Sequence, residues 1–283
     1  MSKILLKARF EKVKVILVSH LICILVTIAC IFPLVWMVSS SLKTQETVFK
    51  DFSLIPKSPH FKNYLIAIKE ANFGIYFLNS VFYTATVVLA IIFLSSMAAY
   101  AFSRLRFPLR SVFYIMLIST MMIPIPGIFI ALYVLLNKLH LINTRIGYIL
   151  CQINAGLPLS IFLFKTFMDK IPKELEEAAK VDGCNKFQIY WKIVFPLSRP
   201  TLGVIAIFNT LAVWNEYLLA MLVFSDKSLM PLQRGLMVFY GSHLTQYPLL
   251  MAGLTITTIP VLIVYFFMHR YIVSGIIAGA LKG

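Results

Sequence analysis

Charge is what this 283-residue sequence has least of. Only 13% of its residues are charged, against roughly 25% in an ordinary soluble domain, and acids are the scarcer kind, 11 against 26 bases. That shortage excludes a well-solvated globular surface. Cysteine is scarce as well: Cys23, Cys30, Cys151 and Cys184 include no CxxC pair and three fall inside apolar runs, so neither a disulfide framework nor a metal site is expected. No GxxxxGK[ST] pattern occurs, so this chain is not expected to bind ATP itself. His20, His60, His140, His243 and His269 share no close ligand spacing, which favours packing or interfacial roles over a metal centre. Internal repeats, low-complexity tracts and a second soluble domain are also missing.

What the sequence has is oil. Hydrophobic residues make up 60% of it, and crossing a bilayer takes about 20 predominantly apolar residues per helix. Six such segments can be drawn, near 13–38, 75–102, 112–136, 146–167, 201–224 and 248–268. Runs such as VFYTATVVLAIIFLSSMAAYAF do not alternate, so they predict helices rather than barrel strands. The fold class expected is all-α, a polytopic membrane protein forming one transmembrane domain over residues 1–283. The first span follows the basic tail KARFEKVK, but its apolar run is too long for a signal peptide and lacks a small-residue cleavage site.

The net charge of +15 could suggest nucleic acid, yet the bases lie beside hydrophobic spans rather than on one soluble face. Five Lys or Arg precede the first span, three lie in 103–111, seven in 165–200 and two at the C-terminal end; the alternate loops hold nine. This bias predicts cytoplasmic N- and C-termini and external loops near 42–74 and 225–247. Prolines and aromatics in 42–74 predict ordered turns. Pro33, Pro124, Pro126, Pro158 and Pro260 fall within spans, where each removes a backbone donor, and MMIPIPG is the strongest candidate for a functional bend.

One stretch breaks the apolar pattern: IPKELEEAAKVDGCNKFQIYWKIVFPLSRP. Pro172 suits a first helical turn, and Glu174, Glu176 and Glu177 complement the helix dipole there. That helix is expected to end at Asp182-Gly183. A second, from about Lys186, repeats Phe187, Tyr190, Trp191 and Val194 at three- and four-residue spacing, predicting one aromatic face opposite Lys186 and Lys192. Such a helix could lie on the membrane surface. The first helix instead offers small residues, Ala178 and Ala179, flanked by carboxylates, a surface suited to a closely approaching basic partner.

Glu177-Ala178-Ala179, then Gly183, Ile193 and Pro196, resemble the EAA loop of the membrane subunits of bacterial ABC importers, with Phe195 where the pattern usually has leucine. NSVFYTATV, AAYAFSRLRF, MMIP, AVWNEYLLAMLVF and HRYIVSGIIAGALKG extend the resemblance to the MalG-type permeases of the carbohydrate-uptake family. The resemblance implies a coupling helix that docks on a cytoplasmic ATPase. Glu177 would be its anionic contact, Ala178 and Ala179 its close-packing surface, and Asp182-Gly183 the turn between the two helices. It further implies a second homologous permease, two ABC ATPase subunits holding ATP and Mg2+, and an extracytoplasmic sugar-binding protein. No cofactor and no catalysis are expected in this chain.

The fifth predicted span contains Trp214-Asn215-Glu216-Tyr217. Glu216 is an acid inside a span, which is costly unless it faces protein or water, so it either makes a structural hydrogen bond between helices or lines a pathway. Trp214, Asn215 and Tyr217 supply the aromatic faces and amide that suit hydroxyl-rich ligands. A self-sufficient ion-coupled transporter is the alternative function, but it calls for more intramembrane carboxylates and related halves. A membrane anchor or channel component without transport is a third reading, one that leaves the EAA pattern unused. No fixed base lies deep in the predicted spans, which favours a neutral sugar over a phosphorylated solute.

Overall fold

The computed structural model describes the backbone of residues 2–123, 125–240 and 245–280, and the side chains of residues 14–123, 127–240 and 245–267. Thirteen α-helices and no strand occur among the described residues. They are α1 (Ser2–Ser41), α2 (Lys62–Glu70), α3 (Phe73–Arg104), α4 (Arg110–Ser119), α5 (Ile125–Lys138), α6 (Arg145–Met168) and α7 (Lys173–Val181). After them come α8 (Lys186–Ile189), α9 (Phe195–Leu197), α10 (Arg199–Trp214), α11 (Leu218–Val223), α12 (Leu232–Gly235) and α13 (Tyr247–Ala280). The fold is that of an all-helical, multi-pass membrane protein.

Among the described residues, four helical segments are long and apolar enough to cross a bilayer: Lys14–Ser41, Phe73–Arg104, Arg145–Met168 and Tyr247–Phe267. They contain the first, second, fourth and sixth predicted spans almost whole. Two bent pairs raise the number of spans to as many as six. Arg110–Met122 and Gly127–Lys138 meet at 112° across the MMIPIPG stretch, where the third span was expected. Of its two prolines, Pro124 lies outside the described residues, and only the backbone of Pro126 lies within them.

The fifth span differs from expectation. Instead of one helix over 201–224, Lys186–Leu197 and Arg199–Trp214 form a pair bent by 73°, and the chain leaves helix at Asn215. Pro196 and Pro200 remove two donors around Ser198, whose ψ of 5° breaks the helical path. Pro33, Pro158 and Pro260, by contrast, sit inside continuous helices. Residue His243 lies outside the described residues, as do the side chains of HRYIVSGIIAGALKG.

The chain divides into two compact units, residues 1–70 with 238–256, and residues 71–237 with 257–283. In the first, the loop after α1 is ordered around Lys43, which is buried and donates to the carbonyls of Asp51 (2.5 Å) and Ser53 (2.9 Å). Its ammonium also sits 5.0 Å from the centre of the Trp36 ring. The Asn63 amide closes the same loop by donating to the Ser41 and Lys43 carbonyls.

The second unit is built on α3, α6 and α10, whose buried Val87, Ile91, Ile161, Phe164 and Ile205 share one apolar core. Gly156 sets how closely these helices approach, because a Cβ there would overlap both Ile91 and Asn209. Asn209 uses the space to donate to Ser160 Oγ (3.0 Å) and the Ile205 carbonyl (2.8 Å). Every partner of that amide nitrogen is therefore internal, as burial requires.

Candidate functional site

The polar stretch after α6 folds into two short helices and a turn. Pro172 precedes α7, and Glu174 and Glu176 fall in its first turn, where the free N–H groups favour negative charge. The helix ends as the glycine predicts. Gly183 has φ +83°, its N–H donates to the Lys180 carbonyl (3.0 Å), and the Cys184 N–H donates to the Ala179 carbonyl (2.9 Å). These two bonds form a Schellman cap, which satisfies carbonyls that the helix itself leaves open. Asn185 then starts α8 with a reciprocal box, accepting from the Gln188 N–H while the Gln188 side chain accepts from its own N–H.

The residues of α7 divide between two faces. Glu176 and Ala179 are buried, and Ala179, 7% exposed, packs in the same core as Ala99 and Val194. Glu177, Ala178, Asp182 and Gly183 are exposed, with Val181 at 89%. The two alanines therefore do not form one outward surface: Ala179 seats the helix, and Ala178 and Glu177 face away from the core. Ile193 and Pro196 are half-buried in the turns that follow.

The second helix departs from the expected single aromatic face. Residues Tyr190–Val194 form a π turn, closed by the Phe195 N–H donating to the Tyr190 carbonyl. The extra residue in that turn shifts the register. Ile189, Tyr190 and Val194 are buried, while Phe187 (66% exposed) and Trp191 (49%) point away, Trp191 stacked on Phe195 at 5.2 Å.

Beneath α7 lies a buried ion pair. Arg104, the last residue of α3, donates from Nε to Glu176 Oε1 (2.5 Å) and from Nη2 to the Ile171 carbonyl (2.7 Å). Beside it, Ser103 Oγ (2.6 Å) and Lys165 Nζ (2.7 Å) both donate to the Asp169 carboxylate. Burial would raise the pKa of Asp169, but these donors outweigh it and hold the carboxyl below its ordinary value.

Trp214-Asn215-Glu216-Tyr217 occupies the break between α10 and α11. The Glu216 carboxylate accepts from the N–H groups of Leu219 (2.6 Å) and Ala220 (3.2 Å), so it caps the start of α11. Its Oε2 is also 3.5 Å from the Tyr148 hydroxyl, which accepts from Gln152 Nε2 (3.0 Å). Trp214 is buried, edge-on to Phe77 and donating to the Thr257 carbonyl (3.3 Å). Asn215 and Tyr217 are exposed; the Asn215 carboxamide donates to the Leu211 carbonyl and accepts from Gln233.

The family described as "Binding-protein-dependent transport system inner membrane component" matches residues 91–278, a stretch that contains both sites. The chain belongs to that family. This inner membrane component is 35% identical over 259 residues to the probable starch degradation products transport system permease protein AmyC of Thermoanaerobacterium thermosulfurigenes, covering 92% of this chain and 94% of the relative. It is 32% identical over 268 residues to the diacetylchitobiose uptake system permease protein NgcG of Streptomyces coelicolor, covering 94% and 88%. A chain of a bacterial ABC transporter involved in import of the acidic polysaccharide alginate matches its fold with a TM-score of 0.78 at 25% identity, covering 90% of this chain and 95% of that one.

Sequence reasoning missed Arg104, Ser96, Tyr100 and the inward role of Glu176. The signal was present in two forms. Glu176 and Glu177 are adjacent, so on a helix they cannot share a face, and Ser96, Tyr100 and Arg104 recur at four-residue spacing on one stripe of α3.

Proposed function

We propose that this inner membrane component is the permease subunit of an ATP-driven sugar importer. In this reading it forms half of the translocation pathway, and residues 172–196 couple the closing of a cytoplasmic ATPase to alternating access. The observation that carries the reading is the geometry of α7. A helix fixed from below by Glu176 and Ala179 and stopped by the Gly183 cap presents Glu177 and Ala178 outward. Anchored on one face and free on the other, it is suited to receive a push.

The partners are a second homologous permease, a pair of ABC ATPase subunits that bind ATP and Mg2+, and an external sugar-binding protein. The lysine and arginine bias supports a cytoplasmic position for the termini and residues 172–196, and the family description supports an inner membrane. The whole chain then acts as a single transmembrane domain, with the long apolar face of α1, exposed from Val15 to Ile31, meeting lipid or the partner permease. Sugar as substrate class is supported by the relatives, whose names specify starch degradation products and diacetylchitobiose. A neutral sugar fits the absence of bases from the middle of the spans. Of Trp214, Asn215, Glu216 and Tyr217, the exposed Asn215 and Tyr217 are the ones suited to line the pathway, while Trp214 is buried and Glu216 caps α11.

Nothing favours ion coupling. The Glu216 carboxylate is already engaged by two backbone N–H groups and the Tyr148 hydroxyl, which leaves it poorly placed to trade a cation at each cycle. The test is co-purification with the cognate ATPase subunits. Glu177→Lys and Gly183→Pro should each release the ATPase while the chain stays folded in the membrane; a complex indifferent to both would remove the docking claim.

A further inference from the structure

Of the two covalent routes out of the 172–196 loop, that through α9 and α10 passes a 73° bend, and that through α6 passes Pro158, which lies inside a continuous helix. A third element, not adjacent in sequence, is bonded to the loop at three points. Ser96 shares a hydrogen bond with the Tyr190 hydroxyl (2.8 Å), the Tyr100 hydroxyl donates to the Lys186 carbonyl (3.2 Å), and Arg104 holds Glu176. These three residues form a single stripe along α3. Each meets a different part of the loop, the π turn, α8 and α7.

The opposite end of α3 is bonded as closely to another segment. The Asn79 amide donates to the carbonyls of Ser228 (2.7 Å) and Met230 (3.1 Å), and the Tyr83 hydroxyl donates to the Leu229 carbonyl (2.8 Å). Ser80 Oγ accepts from the Leu232 N–H (2.8 Å). Between the two bonded ends the helix runs without a proline, unlike α1, α6 and α13, each of which contains one. At about 1.5 Å per residue, Asn79 and Arg104 stand about 37 Å apart on one unbroken hydrogen-bonded rod.

We propose that α3 is this rod, and that it carries displacement of the 172–196 loop to the segment 228–232 at the other side of the membrane. Ser96, Tyr100 and Arg104 are positioning residues that clamp the loop to it. A displacement of α7 moves Arg104 through a buried ion pair, and a continuous helix without proline passes that movement along its axis. The segment 228–232 belongs to the loop that would face the external sugar-binding protein, so the rod joins the ATPase side to the binding-protein side. This inference rests on the reading of residues 172–196 as the surface that docks the ATPase.

The test uses the assembled importer with Cys23, Cys30, Cys151 and Cys184 replaced by serine and an environment-sensitive dye on Lys227→Cys, an exposed position beside the bonded segment. In the otherwise unaltered chain the dye signal should change between the nucleotide-free and ATP-bound complexes. Ser96→Ala with Tyr100→Phe removes two clamps and keeps their packing; Arg104→Gln removes the third, and Arg104→Lys should restore part of it. With the ATPase subunits still bound, the ATP-dependent change should shrink about fivefold or more in the double variant and in Arg104→Gln. A full-sized change in complexes that retain their ATPase overturns the rod. If the unaltered chain holds no ATPase, the docking reading beneath it is what fails. An Arg104→Gln chain that does not fold leaves the decision to the double hydroxyl variant, which answers it alone.

Discussion

Adjacent glutamates in α7 illustrate how position, rather than residue type, assigns a role. Glu176 is buried against Arg104 and Glu177 is exposed, so Glu176→Gln leaves a buried guanidinium without its counter-charge and should cost about 3 kcal/mol or more. Glu177→Gln should stay within about 0.5 kcal/mol. Thermal unfolding of the two purified variants in detergent separates them; equal losses would mean the ion pair is not what seats the helix. Gly183 is a second such position. The methyl group of an alanine there would meet no atom within 4 Å, so Gly183→Ala should cost about 1 kcal/mol from its φ of +83° alone, with no added steric penalty. Asp169 carries a pH effect. Its native carboxyl is held below the ordinary carboxylate value, so its contribution to stability is present above about pH 3.9 and fades as pH falls through the lower native value. Acid titration of stability in Asp169→Asn should show a shallower loss in that window than the parent chain.

Helices add constraints that single residues do not. Gly156 lets α6 approach Ile91 of α3 and Asn209 of α10 at once, so Gly156→Val should loosen all three helices and cost about 1–3 kcal/mol, read as a lower midpoint of thermal unfolding. The long helices were legible in the sequence because an unbroken apolar run has only one way to satisfy its backbone in lipid. The end of α7 was legible too, because only glycine takes its conformation there without strain. The break at Asn215–Tyr217 was not. Hydropathy rates Trp214 to Val223 as a continuation of the span, whereas the Glu216 carboxylate can start a new helix by capping Leu219 and Ala220. The inward face of the second loop helix was hidden for a different reason: the π turn at Tyr190–Val194 adds one residue to the register, which a 3.6-residue count does not anticipate. Side-chain bonds between α3 and the loop span 72 to 94 residues of sequence, and no local pattern predicts a partner that far away.

For the molecule as a whole, the proposed function makes the outward face of α7 and the continuous α3 parts of a chain that would work by displacement rather than by chemistry. On that proposal its two faces would meet different partners, an ATPase at residues 172–196 and a sugar-loaded binding protein near 225–247. Energy source is therefore the point on which this mechanism is most exposed. The decisive measurement is uptake of a radiolabelled sugar, one bound by the cognate binding protein, into vesicles containing the assembled importer, with ATP inside or absent and with ionophores that collapse ion gradients. Uptake should require ATP, survive the ionophores and be lost in Glu177→Lys. Uptake by this chain alone, without ATPase subunits and abolished by the ionophores, would contradict an ATP-driven importer.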